Sequence, residues 1–294
     1  MFIATIIASR PRELEPAAVS AARDVLAAAG CEPQVAQWLE HGVAADVPFT
    51  GDAMAARTAL EAAFLELDVI VQVAADRRRK LLVADMDSTM ITIECIDELA
   101  DYAGIKAEVA QVTEAAMRGE LDFEGALRSR VALLKGLSEQ VIEDCLRDRV
   151  KIMPGARELV RTMRANGGAA VLVSGGFTRF ADPVAAKIGF DRAVANILGI
   201  SDGFLDGTVV GDIVGAQTKR DTLLSELAAH KFPLSASLAV GDGANDIPMI
   251  EAAGLGVAYH AKPKTAAAAA AQIRQGDLSV LLYAMGYLRA DWVS

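Results

Sequence analysis

Cysteine, histidine, positive charge and long apolar runs are all in short supply in this chain, and each shortage removes a class of function. The three cysteines, Cys31, Cys95 and Cys145, are scattered without a Cys-x-x-Cys pair. An odd, dispersed set makes no disulfide framework and fits a reducing compartment. His41, His230 and His260 lack ligand spacing, so no zinc site is expected. The formal net charge of −10 repels nucleic acid and anionic lipid. No uncharged apolar run reaches the ~18 residues of a membrane span. The stretch from Met1 to Ala8 has no basic leader. There is no Gly-x-x-x-x-Gly-Lys-Ser/Thr phosphate loop, and Ser174 lacks the Gly-x-Ser-x-Gly setting of a hydrolase nucleophile. The expectation is a cytoplasmic protein with no nucleic-acid and no membrane partner; a homodimer is compatible with it.

What is present is apolar material, 53% of 294 residues, enough for one sizeable core and a smaller one. Residues 1–79 read as one unit. A strand pattern over Phe2–Ala8 precedes a helix over Pro16–Ala29. Strands follow near Gln34–Leu39 and Ala44–Pro48, then a helix over Asp52–Leu65 and a β-branched run at Val69–Val73. The order βαββαβ suggests a ferredoxin-like domain. Arg77, Arg78, Arg79 and Lys80 read as a linker or a solvated strand entrance.

From residue 80 the pattern changes. Leu81–Ala84, Ala169–Val173 and Leu238–Val240 are buried-strand patterns, each stopping at polar or glycine residues and followed by helical sequence. This alternation predicts a parallel, Rossmann-like α/β sheet whose ligand sits beyond the carboxyl ends of the strands. An amphipathic helical stretch of about residues 93–150 separates the first two strands, too long for an ordinary connection, and reads as a cap. The alanine tract Ala266–Ala271 has strong helix propensity.

Four polar clusters fall at the predicted strand ends or the helix starts beside them. Asp85-Met86-Asp87-Ser88-Thr89 puts two carboxylates two residues apart. Ser174-Gly175-Gly176 offers a hydroxyl and glycine amides that suit phosphate oxygens. Lys219 opens a helix. Gly241-Asp242-Gly243-Ala244-Asn245-Asp246 places two acids in a glycine-rich loop that suits a hard cation. Each alone is a commonplace turn or surface charge; their order along the chain is what carries information.

That order resembles the haloacid dehalogenase superfamily over about residues 80–290, and within it the phosphoserine phosphatases, whose members often carry an N-terminal ACT-like domain. The resemblance implies a magnesium-dependent phosphatase with a helical cap acting on phosphoserine. It implies Asp85 as nucleophile and Asp87 as general acid and base. Asp85, the backbone carbonyl of Asp87, and Asp242 would hold Mg2+, with Asp246 behind them orienting a metal water or Lys219. Lys219, Ser174 and Gly175 would hold the phosphate, supported by Asn245. In the cap, Glu94 matches the residue that binds the substrate ammonium and Arg130 the one that binds its carboxylate. Phe123 matches an aromatic that closes the cap, and Met117 is a further candidate for the pocket lining. A phosphotransferase using phosphoserine as donor, and an amino-acid sensor acting through residues 1–79, stand as alternatives.

Overall fold

The computed structural model describes residues 1–10, 13–117 and 120–294, and the side chain of Met117 lies outside the described residues. Two sheets organise the chain. The first is built from β1 (Phe2–Ile7), α1 (Pro16–Ala28), β2 (Glu32–Pro33), β3 (Gln37–Glu40), β4 (Ala44–Thr50), α2 (Ala53–Ala63) and β5 (Asp68–Val73). Its order is β2-β4-β1-β5 with β3 also on β4, and every pair is antiparallel. Asp52 starts α2 by accepting the Met54 and Ala55 amides, as an N-cap carboxylate does. The strand expected near Gln34–Leu39 forms instead as two short pieces, β2 and β3, both paired to β4.

Alternation along β1 explains why all of it from Ile3 on is buried. Ala4 and Ile6 join Val19 and Leu26 of α1 and Leu60 of α2 in one core. Ile7 on the opposite face, with Ala44 and Ile70, joins a core shared with Tyr283, Met285 and Tyr287. The first sheet is therefore packed on both faces, and its second face lies against the C-terminal segment of the chain.

The second sheet begins with β6 (Leu81–Ala84), an all-apolar run buried on both faces. Helices α3 (Cys95–Tyr102), α4 (Lys106–Met117), α5 (Phe123–Leu133) and α6 (Gln140–Asp148) intervene before α7 (Ala156–Ala165) and β7 (Ala169–Phe177). Next come α8 (Thr178–Ile188), β8 (Arg192–Ser201), β9 (Phe204–Val210), α9 (Ala216–His230) and β10 (Ser237–Gly241). The chain closes with α10 (Ile247–Ala252), β11 (Leu255–Tyr259), α11 (Pro263–Ala268), β12 (Ala271–Ile273) and α12 (Val280–Ala284). The order β12-β11-β10-β6-β7-β8-β9 is parallel except at the last pair, where β8 and β9 form an antiparallel hairpin at the edge.

Three further expectations change on contact with the fold. β7 does not stop at Ser174 but runs to Phe177, with a break in its register against β8 after Val173. The alanine tract is helical only to Ala268; Ala271 enters β12, where pairing with β11 and burial outweigh its helix propensity. The basic cluster is not solvated throughout. Arg79 is buried, with Nη2 donating to Gln72 Oε1 at 2.8 Å, and Arg77 pairs with the buried Asp46 at 2.6 Å. No helix among the described residues is long and apolar enough to cross a membrane.

Candidate active site

The carboxyl ends of β6, β7 and β10 converge, and the start of α9 meets them there. Asp85 follows β6 directly and donates its amide to Val240 O of β10 at 3.0 Å, which ties the two strand ends together. The next turn folds back on itself: Met86 O accepts the amides of Met90 and Ile91, and Ser88 takes a left-handed conformation, φ 56°. Lys219, on the first turn of α9, is completely buried. Its ammonium contacts Asp85 Oδ1 closely and Asp246 Oδ1 at 2.6 Å. The other oxygen of Asp246 accepts the Gly243 amide at 2.9 Å. Asp242 receives the Thr89 hydroxyl at 3.4 Å.

One buried ammonium faces more negative charge than it can balance. Burial alone would push the Lys219 pKa down, yet Asp246 and Asp85 hold it above its ordinary value, so it stays charged. Burial, then Asp246, raises Asp85 well above the carboxylate range. Burial and then Asp246 and Glu94 raise Asp242 to about 6. Asp87 rises to about 7, from burial and then Glu94. Oxygens of Asp85, Asp242 and Asp246 lie within 4.8 Å of one another. An all-oxygen cluster with uncompensated negative charge fits a hard divalent cation. Asp246 already spends both oxygens on Lys219 and Gly243, which leaves Asp85 and Asp242 as the freer side-chain donors.

Next to Asp87, Ser174 is buried and its Oγ accepts the Gly176 amide at 2.9 Å. Asn196 of β8 braces this arch from behind, donating to Gly175 O and accepting from the Val214 amide, each at 2.8 Å. The two glycines are needed for close approach. A Cβ on Gly175 would lie 3.0 Å from Phe123 Cζ, and one on Gly176 would lie 3.4 Å from Asp87 Oδ2.

A cavity of about 540 Å³ fills the space between these strand ends and helices α3 to α5. Asp85, Asp87, Asp242, Ser174, Gly175 and Asn245 form one wall; Glu94, Phe123 and Arg130 form the other. Lys219 and Asp246 stand behind the first wall rather than on it. Glu94 accepts the Ser88 hydroxyl at 2.6 Å. Burial lowers the Arg130 pKa, with Asp97 and Glu94 opposing that effect.

The family description haloacid dehalogenase-like hydrolase matches residues 82–251, which span every residue of the first wall. The chain belongs to this hydrolase family. It is similar to a Streptomyces coelicolor phosphoserine phosphatase, 48% identical over 239 residues, which are 80% of this chain and 58% of that one. A Vibrio cholerae phosphoserine phosphatase is 50% identical over 198 residues, 67% of this chain and 60% of that one. The chain thus spans 58% and 60% of the length of these two curated relatives. The unliganded crystal structure of a probable phosphoserine phosphatase from Vibrio cholerae superposes with TM-score 0.78 at 38% identity, covering 99% of this chain and 87% of that one.

Within the hydrolase family's frame, several groups at the site escaped the reading of the sequence. Cys95 donates both its thiol and its amide to Asp87, at 3.1 and 3.2 Å. Lys262 lines the cavity and donates its amide to Asp242 O at 3.4 Å. Asp97 lines the cavity next to Arg130. Ser88 and Thr89 sit inside the motif already singled out, so their neighbours were the available signal. Asn196 and Lys262 carry no local signal, since only the packing of distant segments brings them here. The side chain of Met117 lies outside the described residues.

Proposed function

We propose that this chain is a magnesium-dependent phosphoserine phosphatase working through a phosphorylated Asp85. The observation that carries this reading is the placement of two acids in one cavity with different partners. Asp85 is held by a buried ammonium, and Asp87, bonded to Cys95, lines the same cavity as Glu94 and Arg130.

The chemistry follows from those partners. Asp85 attacks phosphorus, and the bond from phosphorus to the serine oxygen breaks as the acyl phosphate forms. Serine is a poor leaving group because its alkoxide is strongly basic, so Asp87, with its pKa near 7, delivers a proton to that oxygen. The ionised Asp87 then takes a proton from the water that cleaves the acyl phosphate, and Asp85 is restored. Lys219 stays charged throughout and steadies the carboxylate of Asp85. Ser174 Oγ and the Gly175 amide hold phosphate oxygens, and Asn245 supports them from the same wall. Asp85, Asp242 and the backbone carbonyl of Asp87 would hold the magnesium. When bound, the ion offsets the repulsion between the attacking carboxylate and the phosphate dianion. Glu94 pairs with the substrate ammonium and Arg130 with its carboxylate.

The chain divides at residues 79 and 80 in this reading. Residues 1–79 form an ACT-like unit, residues 80–294 the phosphatase unit, and residues 93–150 its cap. The second face of the first sheet is buried against the core around Tyr283, which favours a structural role for the unit. The free Cys31, Cys95 and Cys145 fit a cytoplasmic setting. A panel of phosphomonoesters assayed with and without magnesium tests the whole proposal. Phosphoserine is expected to be the preferred ester, with activity lost in a chelator and restored by magnesium. Full activity in the chelator, or no preference for phosphoserine, overturns it.

A further inference from the structure

The acid assigned to leaving-group protonation sits on a loop and needs something to hold it. Asp87 lies three residues past the end of β6, and its carboxylate has free rotation unless it is bonded. Among the described residues its hydrogen-bond partners are both on Cys95, the first residue of α3. The amide of Cys95 donates to Oδ2 at 3.2 Å and its thiol to Oδ1 at 3.1 Å. Gly176 closes the opposite side, where a Cβ would lie 3.4 Å from Oδ2. The carboxylate is thus clamped between the start of α3 and the arch that follows β7. Cys95 is fully buried among Ile91, Leu99 and Cys145, so it can reach nothing in the cavity except through Asp87.

We propose that Cys95 is a positioning residue that sets the orientation from which Asp87 protonates an alkoxide leaving group. The proposal rests on Asp87 acting as the general acid. Two donors from one rigid residue, one to each oxygen, select a single rotamer of the acid, and small misplacements of a reacting group lose rate steeply.

A packing role and a hydrogen-bonding role give opposite results in two variants. Cys95→Ala removes the thiol donor. Cys95→Ser keeps a donor in a side chain smaller than cysteine, so it restores the bond but not the packing. The readout is the single-turnover rate at which Asp85 is phosphorylated, trapped by acid, from an alkyl and from an aryl ester. Phosphoserine needs the proton from Asp87, and nitrophenyl phosphate does not. Cys95→Ala is expected to slow phosphorylation from phosphoserine by about tenfold and to leave the aryl ester nearly unaffected. Cys95→Ser is expected to stay close to the wild-type rate. Equal slowing for both esters, a serine variant as slow as alanine, or no slowing at all would each overturn the proposal. The reading of the substrate fails separately. A wild-type protein that phosphorylates Asp85 from nitrophenyl phosphate but not from phosphoserine refutes the substrate, and glycerol phosphate then serves as the alkyl ester for the same ratio. A wild-type protein that never phosphorylates Asp85 refutes both.

Discussion

Buried carboxylates occur in two regions of this molecule, and the regions treat them in opposite ways. Where the first sheet meets the rest of the chain, Asp68 is 1% exposed and accepts three backbone amides, from Arg274, Gln275 and Gly276, at 2.7 to 3.1 Å. Asp46, 2% exposed, accepts the Thr5 hydroxyl at 2.8 Å and pairs with Arg77 at 2.6 Å. Each acid in this seam is matched by donors. At the strand ends of the second sheet, Asp85, Asp87, Asp242 and Asp246 gather near a single buried lysine, and burial, with repulsion from neighbouring carboxylates, raises three of the four. A satisfied buried acid locks segments together. A cluster with more buried negative charge than one ammonium balances suits a hard cation, and holds protonation states that can change near neutral pH. The seam is built for stability and the cleft for chemistry.

The sharpest break of this contrast is at Asp85. Asp85→Asn keeps shape but cannot form the acyl phosphate, and turnover should fall about a thousandfold or more while the fold survives. Acid quenching of the wild type with labelled phosphoserine should leave the label on Asp85; label on Ser174 or Ser88 would point to a different nucleophile.

Asp87→Asn should slow phosphoserine turnover roughly a hundredfold, and formation of the phosphorylated enzyme from an aryl ester much less. The pH dependence has a definite sign. The raised pKa, about 7, means Asp87 carries its proton below that value and loses it above. Phosphorylation from phosphoserine should therefore fall by about tenfold per unit as pH rises beyond the transition, and the aryl ester should lack that limb. Parallel profiles for the two esters would remove Asp87 from the role of acid.

The cap residues give a smaller, selective effect. Glu94→Gln and Arg130→Ala should each lower kcat/KM for phosphoserine by roughly ten- to a hundredfold, one charged hydrogen bond apiece. Nitrophenyl phosphate lacks both substrate groups and should be cleaved almost normally. A parallel decline of both esters would assign these residues to folding or closure instead of selection.

The seam should answer in stability, not in substrate ratios. Asp68→Ala strands three amides, and unfolding should become easier by about 2–4 kcal/mol, read by denaturant melts. The ratio of kcat/KM for phosphoserine to that for the aryl ester should hold at its wild-type value. A changed ratio with unchanged stability would show that the two regions are coupled.

Much of this contrast could be read before folding, and the reason is local. β6 is four apolar residues that can only be a buried strand, and Asp85 follows at the first position where burial can end. Asp87, Asp242 and Asp246 lie within a few residues of such strand ends, so short-range pattern located them. Lys219 read as an ordinary surface lysine until its order relative to the other clusters was considered, and its complete burial came only with α9 packed beneath the acids. Arg77 and Arg79 read as solvated for the same reason.

The sequence by itself determined the parallel sheet, the inserted helices and the acids at the strand ends, because each rests on periodicity and spacing within a short stretch. Only the tertiary structure decided which charges are matched. Cys95 meets Asp87 because α3 starts where the loop after β6 returns, Asn196 braces Gly175 from a neighbouring strand, and Asp68 grips a turn more than two hundred residues away. Hydrogen-bond satisfaction depends on which distant groups arrive together, and no short window of sequence carries that information.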